Sequence, residues 1–467
     1  MKLTVNEMLQ HAVNIFKEGK TEKAQHLFQN IIKIEPTHLD ANHYLAISLQ
    51  ILGKLEDAVV IYKKTIKLNP EYSSAHQNLG NTLIQLKKFE EAELSYRKVI
   101  ELDPDNVIVH LNLGNNLRDL NKLEEAELSY RKVIELDPDN ADAHNALGNI
   151  LNELEKYDGA VKEYSKVLEL NPRDVAGQIN MINILNFFLP SSKIDNFIII
   201  ANYNLREIKN NFSLKNGIKK NELSNFFKES NKVVKDSIGE LILNKTQIYR
   251  NNSLNLGCDR HMKVFNKFNV IPKFCFSCFK IQIEPKNIIE FFKLFFIFDK
   301  IKIPGNNIRK CMIELRPKVS GTYKGLIYCS SIEEANKILE TIYPIINRLI
   351  TSEVKIKRGC SEYIDNFPNY KVTNKEDINF MEYKDEWTDK EKIFDTNNTR
   401  NYQNNKSSLN GLSISDVLIM NNWLNYAKEI NDLSYKEICK DIIYSNYIAE
   451  LISTQIDKRK EEFNTDI

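Results

Sequence analysis

Two pairs of residues in the middle of the chain combine the residue types and the spacing of metal ligands. Cys258 and His261 are separated by two residues, and Cys275 and Cys278 repeat that spacing after an interval of thirteen. Two such pairs could supply the four thiolate and imidazole ligands of a closed, tetrahedral zinc site. We therefore predict a structural zinc site at Cys258, His261, Cys275 and Cys278. An iron–sulfur centre, a redox dithiol or the plain packing of small cysteines in a core would use the same residues.

A series of asparagines in the first half of the chain offers a different chemistry, the recognition of a peptide backbone. One carboxamide presents two donors and an acceptor, so it can bond to a peptide unit whatever side chain that unit carries. Arg118, Asp119 and Glu153 would add charged groups beside the asparagines. We predict that a partner is bound by Arg118 together with these residues: Asn78, Asn81, Asn112, Asn115, Asn145, Asn149, Asn180 and Asn183.

A period of 34 residues shows which elements would position the asparagines. Small, alanine, aromatic and proline residues recur at this interval, and the proline set comprises Pro36, Pro70, Pro104, Pro138 and Pro172. These landmarks are typical of the tetratricopeptide (TPR) repeat, a pair of antiparallel helices. Small residues on the first helix let the second approach, the aromatic ring fills the gap, and proline ends the pair. Because one pair cannot bury its apolar face alone, the pairs are expected to stack into an α-solenoid, the TPR superhelix.

The resemblance to TPR proteins covers five full repeats, residues 5–174, in which asparagines recur at positions 6 and 9 of the first helix. This helix lines the concave surface of such superhelices, the usual binding surface. The array is most similar to those of O-linked N-acetylglucosamine transferases, where such asparagines hold an extended peptide by its backbone. The resemblance implies a protein or extended peptide as partner; a solvated, asparagine-rich helix face is the alternative. Residues 175–210 are predicted to be a degenerate sixth unit that caps the superhelix.

Residues 256–365 predict an α+β domain of the ferredoxin-like βαββαβ type. The predicted strands are Phe274–Ile283, Cys311–Val319, Thr322–Cys329 and Glu353–Cys360, with helices over Lys286–Lys300 and Ile332–Leu349. Strand ends that meet in the antiparallel sheet would bring Cys311, Cys329 and Cys360 towards Cys275 and Cys278, which places five thiols at one end.

Alternation along the same strands predicts an open sheet face that is mostly basic. It would expose Lys280, Gln282, Glu314, Arg316, Lys355 and Lys357. A basic face could bind RNA, but Leu326 stands where an RNA-recognition sheet carries a stacking aromatic residue. We therefore expect a solvated face, or one covered by another part of the chain, and no nucleic-acid partner.

The remaining segments are predicted to be helical or irregular. Residues 211–255 would form a helical connector between the 1–210 superhelix and the α+β domain. Residues 366–467 would form a polar linker, flexible over Lys390–Ser408, and then two C-terminal helices. These helices are predicted at Ser413–Ile430 and Ser434–Ile456, with Trp423 packed between them.

Composition limits the classes of function. The chain has 467 residues, of which 42% are hydrophobic and 27% are charged, with a net charge of +1. No signal peptide and no apolar run of about 20 residues is present, which predicts a soluble protein without a membrane partner. Seven cysteines without an export signal favour reduced thiols in the cytoplasm. No phosphate-binding loop, H-E-x-x-H or G-x-S-x-G sequence occurs. These observations favour an interaction scaffold with an appended metal-binding domain. The alternative is an enzyme with a redox or catalytic metal site, which uses the repeats to recruit its substrate.

Overall fold

The computed structural model describes residues 4–191, 194–252, 256–305, 307–316, 319–396 and 406–465, and they form two compact units. Unit 1 extends to Asn180 and also includes Pro190 and Ser191, and unit 2 contains the other described residues. The division falls inside a helix, Val175–Leu185. No described helix is both long enough and apolar enough to cross a membrane.

Unit 1 is built from five helical hairpins, as the period predicts. Consecutive helices pack against each other within and between the hairpins. The bounds are α1 Val5–Lys17, α2 Thr21–Ile34, α3 Leu39–Ile51, α4 Leu55–Leu68, α5 Ser73–Gln85, α6 Phe89–Leu102, α7 Val107–Asp119, α8 Leu123–Leu136, α9 Ala141–Glu153 and α10 Tyr157–Leu170.

The packing roles predicted for the landmarks are present in the structure. A Cβ atom added to Gly114 would lie 2.7 Å from the ring of Tyr130, so only glycine lets this ring sit on the first helix. Gly80 with Tyr96 and Gly148 with Tyr164 repeat this contact. The histidines at position 4 tie neighbouring hairpins together, because their Nε2 atoms lie 2.8 to 2.9 Å from proline carbonyl oxygens. The pairs are His76 with Pro70, His110 with Pro104 and His144 with Pro138.

Unit 2 contains a five-stranded antiparallel sheet surrounded by helices. Its strands are β1 Gln247–Arg250, β2 Phe279–Glu284, β3 Arg309–Ile313, β4 Tyr323–Cys329 and β5 Glu353–Arg358. Their order across the sheet is β1-β3-β4-β2-β5. The helices, numbered from the boundary helix α11, are α11 Val175–Leu185, α12 Phe197–Glu207, α13 Lys220–Ile238, α14 Cys258–Phe268, α15 Lys273–Phe276, α16 Ile288–Lys300, α17 Ile332–Leu349, α18 Thr388–Thr396, α19 Ile414–Glu429, α20 Tyr435–Ile438, α21 Asn446–Ile452 and α22 Ile456–Thr465.

The structure corrects the bounds of two predicted strands and contains one further strand that was not predicted. The predicted strand Phe274–Ile283 begins as the short helix α15, and β2 starts only at Phe279, because a turn joins the Cys278 N–H to the Cys275 carbonyl oxygen. Strand β3 ends at Ile313, six residues before its predicted end. Strand β1 forms in the segment predicted to be a helical connector, where it pairs with β3 at the sheet edge.

The C-terminal region also differs from its prediction. Helix α19 begins after the capping residue Ser413, as predicted, but Ser434–Ile456 is not one helix. Between α20 and α21, buried asparagines of α19 replace helical hydrogen bonds, since Asn421 accepts from the Ile443 N–H and Asn425 donates to the Ile443 carbonyl. Helix α18 occupies the start of the predicted flexible linker, and residues 397–405 of that linker lie outside the described residues.

Trp423 does not pack between two C-terminal helices. Its ring lies 4.4 Å from that of Phe291 on α16, and its indole N–H donates to the Thr246 carbonyl oxygen at 2.8 Å. A buried indole needs both an apolar contact and an acceptor, and the core between α16 and α19 supplies both.

Candidate functional site

The asparagines at position 9 are held by the tyrosines of their own hairpins. The Tyr130 hydroxyl donates to Asn115 Oδ1 at 2.8 Å. The same bond joins Tyr96 to Asn81 and Tyr164 to Asn149, also at 2.8 Å. Burial raises the pKa of the Tyr130 phenol to about 12, so it is a donor at neutral pH. Each tyrosine therefore fixes the orientation of one carboxamide.

The asparagines at position 6 are held by the preceding hairpin through their side-chain amide nitrogen, Nδ2. Asn112 Nδ2 donates to Asn81 Oδ1 at 3.3 Å, and Asn78 Nδ2 lies 3.1 Å from His43 Nε2. Position 6 of the fifth hairpin is Ala146, and the adjacent Asn145 acts as an acceptor for the following unit, because Asn180 Nδ2 donates to Asn145 Oδ1 at 2.8 Å. Neighbouring hairpins are thus linked through amide groups.

The two positions leave complementary hydrogen-bonding groups without partners. Among the described residues, Nδ2 of Asn81, Asn115 and Asn149 donates to no acceptor. Within the same part of the chain, no donor reaches Oδ1 of Asn78 or Asn112. All five side chains are half-buried. We call these residues, with Asn145 and Asn180, the asparagine ladder; it presents fixed amide donors at position 9 and fixed carbonyl acceptors at position 6.

Charged groups lie near the Tyr130–Asn115 pair, whereas Asn183, the last predicted ladder residue, bonds to a different part of the chain. Arg118 donates to Asp119 at 3.2 Å, and the charges of both residues and of Glu153 influence the pKa of Tyr130. Asn183 belongs to unit 2, where its Oδ1 accepts a hydrogen bond from Lys245 Nζ at 2.7 Å. This oxygen is therefore already bonded.

The four residues of the predicted zinc site lie in different environments. Cys258 begins α14 and is exposed, whereas His261 is buried and stacks on Phe274 with the ring centres 5.2 Å apart. The Cys275 thiol contacts the Tyr363 hydroxyl at 3.4 Å inside a small apolar core. Burial raises the pKa of the Cys278 thiol to about 11, so it is protonated at neutral pH.

The structure does not assemble these residues into a metal site. Over the ranges that the structure describes, no group of three or more His, Cys, Asp and Glu side chains is placed to hold a metal ion. The predicted zinc site therefore gains no support. The five thiols do not meet at one end either. Because β3 starts at Arg309, Cys311 lies inside the strand, opposite Gly325, and faces away from Cys360.

The predicted open sheet face is only partly open to solvent, since three of its six predicted residues are buried. Lys280 is 6% exposed, Gln282 4% and Glu314 is fully buried. Glu314 accepts hydrogen bonds from Arg316 and Lys324. The C-terminal region contacts the segment that follows β3, since Gln455 donates to the Leu315 carbonyl oxygen. Sequence alternation predicted which residues share this face, but it could not show what surrounds them.

A cavity of about 860 Å³ in unit 2 adjoins this face, and sequence reasoning missed it. Strand β1 supplies one wall with Tyr249, β4 supplies Tyr328, and α14 supplies Cys258. Since β1 was predicted to be part of a connector, no sequence signal marked the cavity. Its size suits a small molecule.

Comparison with known proteins identifies the repeats. The tetratricopeptide repeat family matches residues 73–106 and 141–174, and a second TPR repeat description matches residues 114–154. Unit 1 is an array of tetratricopeptide repeats. The TPR array supports a role as a protein-interaction scaffold, since arrays of this kind bind their partners on extended concave surfaces. No curated protein matches the chain.

Several solved TPR structures are similar to part of the chain. MamA from Desulfovibrio magneticus RS-1 is 22% identical, with 36% of this chain and 96% of MamA covered and a TM-score of 0.35. YrrB, described as a TPR protein with an unusual peptide-binding site, is 18% identical over 37% of this chain and 90% of its own, with a TM-score of 0.35. PilF from Pseudomonas aeruginosa is 20% identical over 38% and 82%, with a TM-score of 0.34.

Proposed function

We propose that the TPR array binds an extended segment of a partner protein through the backbone of that segment. The observation that carries the proposal is the fixed, alternating polarity of the asparagine ladder. A peptide unit offers one carbonyl oxygen and one N–H, and the ladder offers a free amide donor at position 9 and a free acceptor at position 6. Pre-fixed groups lose little conformational entropy on binding, so each bond contributes more to affinity.

Arg118, Asp119 and Glu153 would add selectivity to this backbone recognition. They are charged groups close to the Tyr130–Asn115 pair, at the middle of the ladder. Charges at the rim of an interface favour some sequences over others while contributing little to affinity. The partner segment should therefore tolerate many side chains but show charge preferences at one or two positions.

Selection of peptides from a random library, followed by chemical modification of their backbones, tests the proposal. Peptides captured by the full chain should share little sequence, and N-methylation of their central amide nitrogens should abolish binding. Asn112→Ala combined with Asn115→Ala should weaken binding about 10-fold, since each net hydrogen bond contributes about 0.5–1.5 kcal/mol. The control is Glu124→Ala with Glu135→Ala, two exposed residues of α8, which should bind like the parent chain.

Two results would contradict backbone recognition. Peptides with one dominant side-chain motif that bind equally well after N-methylation would show that side chains are read. Unchanged binding by the double asparagine variant would exclude the ladder as the contact surface. Circular dichroism of each variant must show an intact array, so that lost binding is not mistaken for unfolding.

Two finer descriptions of the chain are also our proposals. The strand order β3-β4-β2-β5, with α16 and α17 as the crossing helices, supports a ferredoxin-like unit that β1 extends at one edge. The fold alone carries no function. All seven cysteines lie within the described residues as free thiols, which supports activity in a reducing compartment such as the cytoplasm.

A further inference from the structure

Three lysines on this sheet face, one buried and two half-buried, have no acidic partner. Lys280 on β2, Lys310 on β3 and Lys357 on β5 share the face turned away from α16 and α17. Four carboxylates of the described residues lie on or beside this face. Glu314 and Glu362 are bonded to Arg316, with Glu314 also bonded to Lys324. Glu284 and Glu353 both pair with Lys355. Among the described residues, none of the three lysines forms an ion pair. The face therefore carries an excess of positive charge.

The strand register brings this charge together. Lys280 stands directly opposite Lys357 on β5 and opposite Tyr328 on β4. Like charges that face each other across a sheet are unfavourable, and burial makes the repulsion stronger. Lys280 Nζ contacts the Cys360 sulfur at 3.5 Å and the Tyr328 ring at 5.1 Å, neither of which neutralises an ammonium group in the way a carboxylate does.

The other two lysines have similarly weak partners. Lys357 Nζ donates to the Ser361 hydroxyl at 3.0 Å, and Lys310 Nζ lies 5.4 Å from the centre of the Tyr249 ring. A second polar group on the face is also unsatisfied. Gln282, one step along β2 on the same side as Lys280, is 4% exposed, and its Oε1 has no hydrogen-bond partner in the described part of the chain.

The neighbouring cavity gives this charge a place for a ligand. Tyr328 contacts Lys280, Tyr249 contacts Lys310, and both tyrosines line the cavity of about 860 Å³. The cavity is thus adjacent to two of the three lysines through their aromatic partners. Aromatic walls beside convergent polar groups are the usual composition of small-molecule sites.

We propose that this face binds a small molecule that carries a phosphate or similar oxyanion group. The ammonium groups of Lys280, Lys310 and Lys357 bind the oxyanion. The rest of the molecule occupies the cavity and contacts Tyr249 and Tyr328. A recessed, largely buried cation cluster fits a compact anion better than a nucleic-acid strand, which needs an open platform of bases and rings. This site lies in unit 2 and is independent of the peptide recognition proposed for the repeats.

Thermal unfolding of the full chain with pyrophosphate as the probe tests the site. At constant ionic strength, pyrophosphate at about 100 times its Kd should raise the melting temperature of unit 2 by about 5 °C or more. Lys280→Met should abolish this shift. Without the anion, Lys280→Met should melt at or above the parent chain, because an uncompensated buried ammonium has been removed. Lys355→Met is the control, since Lys355 is exposed and paired with Glu284.

The outcomes separate the proposal from its alternatives. An equal pyrophosphate shift in the Lys280→Met and Lys355→Met proteins would place the anion elsewhere and overturn the proposal, as would no shift in the parent chain. A lower melting temperature of Lys280→Met in anion-free buffer would show that the protein already satisfies this lysine, which also overturns it. If Lys280→Met does not fold, calorimetric titration of Lys357→Gln must show weaker pyrophosphate binding. A single-stranded RNA that displaces pyrophosphate at lower concentration would replace the proposal with RNA binding.

Discussion

At the scale of single residues, the repeats show how a glycine can prepare a binding group. In the third to fifth hairpins, glycine at position 8 lets the tyrosine ring lie close to the first helix, and its hydroxyl reaches the asparagine at position 9. The second hairpin has Ala46 at position 8 and Ile47 at position 9. There the Tyr62 hydroxyl donates instead to Gln50, at 3.0 Å. Glycine and oriented asparagine therefore occur together.

Gly114→Ala should destabilise the array. The new methyl group would lie 2.7 Å from the Tyr130 ring and displace it from Asn115. Alanine gains up to about 1 kcal/mol in a helix, but overpacking costs about 1–3 kcal/mol and the displaced ring loses a hydrogen bond of about 1 kcal/mol. We expect a net loss of about 1–3 kcal/mol in the free energy of unfolding, measured by urea denaturation.

Gly159→Ala is the matched control for this substitution. Its methyl group would meet only the end of the Leu151 side chain, at 3.2 Å, and that side chain can move. A small change in stability is expected. Equal destabilisation by the two substitutions would show that the close ring contact is not the cause.

At the scale of secondary structure, the accuracy of sequence-based prediction depended on repetition. The bounds of the helices in unit 1 follow from a period that is sampled five times. Helix α17 was also predicted from Ile332 to Leu349, because Ser331 caps it and apolar residues recur along one side. Strand β1 was missed since Gln247–Arg250 is too short to show alternation, and its pairing with β3 is a long-range contact.

Repetition also explains why the asparagine ladder was more predictable than the cysteine site. The asparagine ladder follows from helical spacing, but its polarity depends on Tyr130 and its equivalents, which lie on the other helix of the hairpin. The cysteine pairs have zinc-site spacing, yet no group of three or more ligand side chains in the described part of the chain is placed to hold a metal ion, and His261 stacks on Phe274 instead. Spacing along a chain predicts proximity where a repeated element fixes the geometry, as in the ladder, but the spacing of two cysteine pairs does not fix where their side chains lie.

Arg250 joins three elements of unit 2. From β1 it donates to Asp299 of α16 at 2.7 Å and to Asp416 of α19 at 3.0 Å, and it is almost completely buried. Arg250→Met should lower the free energy of unfolding by about 3–5 kcal/mol, because two buried carboxylates lose their counter-charge. Arg348→Met removes an exposed arginine and should cost less than about 1 kcal/mol. Equal losses in urea denaturation would exclude a special role for the buried network.

At the scale of the whole molecule, the chain combines two units of different construction. Unit 1 repeats one hairpin, so the same contacts position the surface residues of successive repeats. Unit 2 is built around one sheet, and distant parts of the chain bond to its connecting segments, as when Arg459 of α22 donates to the carbonyl oxygens of Val319 and Gly321. Both tryptophans of the chain, Trp387 and Trp423, belong to unit 2, so tryptophan fluorescence reports on that unit selectively.

Because tryptophan fluorescence reports on unit 2, an acid titration followed by fluorescence can test whether His261 is neutral in the folded protein. Burial, with a contribution from the charge of Arg260, lowers the pKa of His261 to about 4, even though Glu391 and Asp395 act in the opposite direction. The unfolded chain, with an ordinary histidine pKa near 6.5, therefore binds this proton at a higher pH than the folded protein does. Folding stability must then fall as the pH decreases from about 6.5 to about 4, by about 3 kcal/mol in all.

His261→Phe should remove this part of the acid sensitivity while keeping the stacking contact with Phe274. Denaturation followed by tryptophan fluorescence at pH 7 and at pH 4 should show a loss of stability that is smaller by about 3 kcal/mol in the variant. The exposed His26 of unit 1 provides the control, and His26→Phe should leave the fluorescence-detected transition unchanged at both pH values. An identical pH dependence in the parent chain and His261→Phe would mean that His261 is protonated in the folded state, which is incompatible with its buried position beside Phe274 and Arg260.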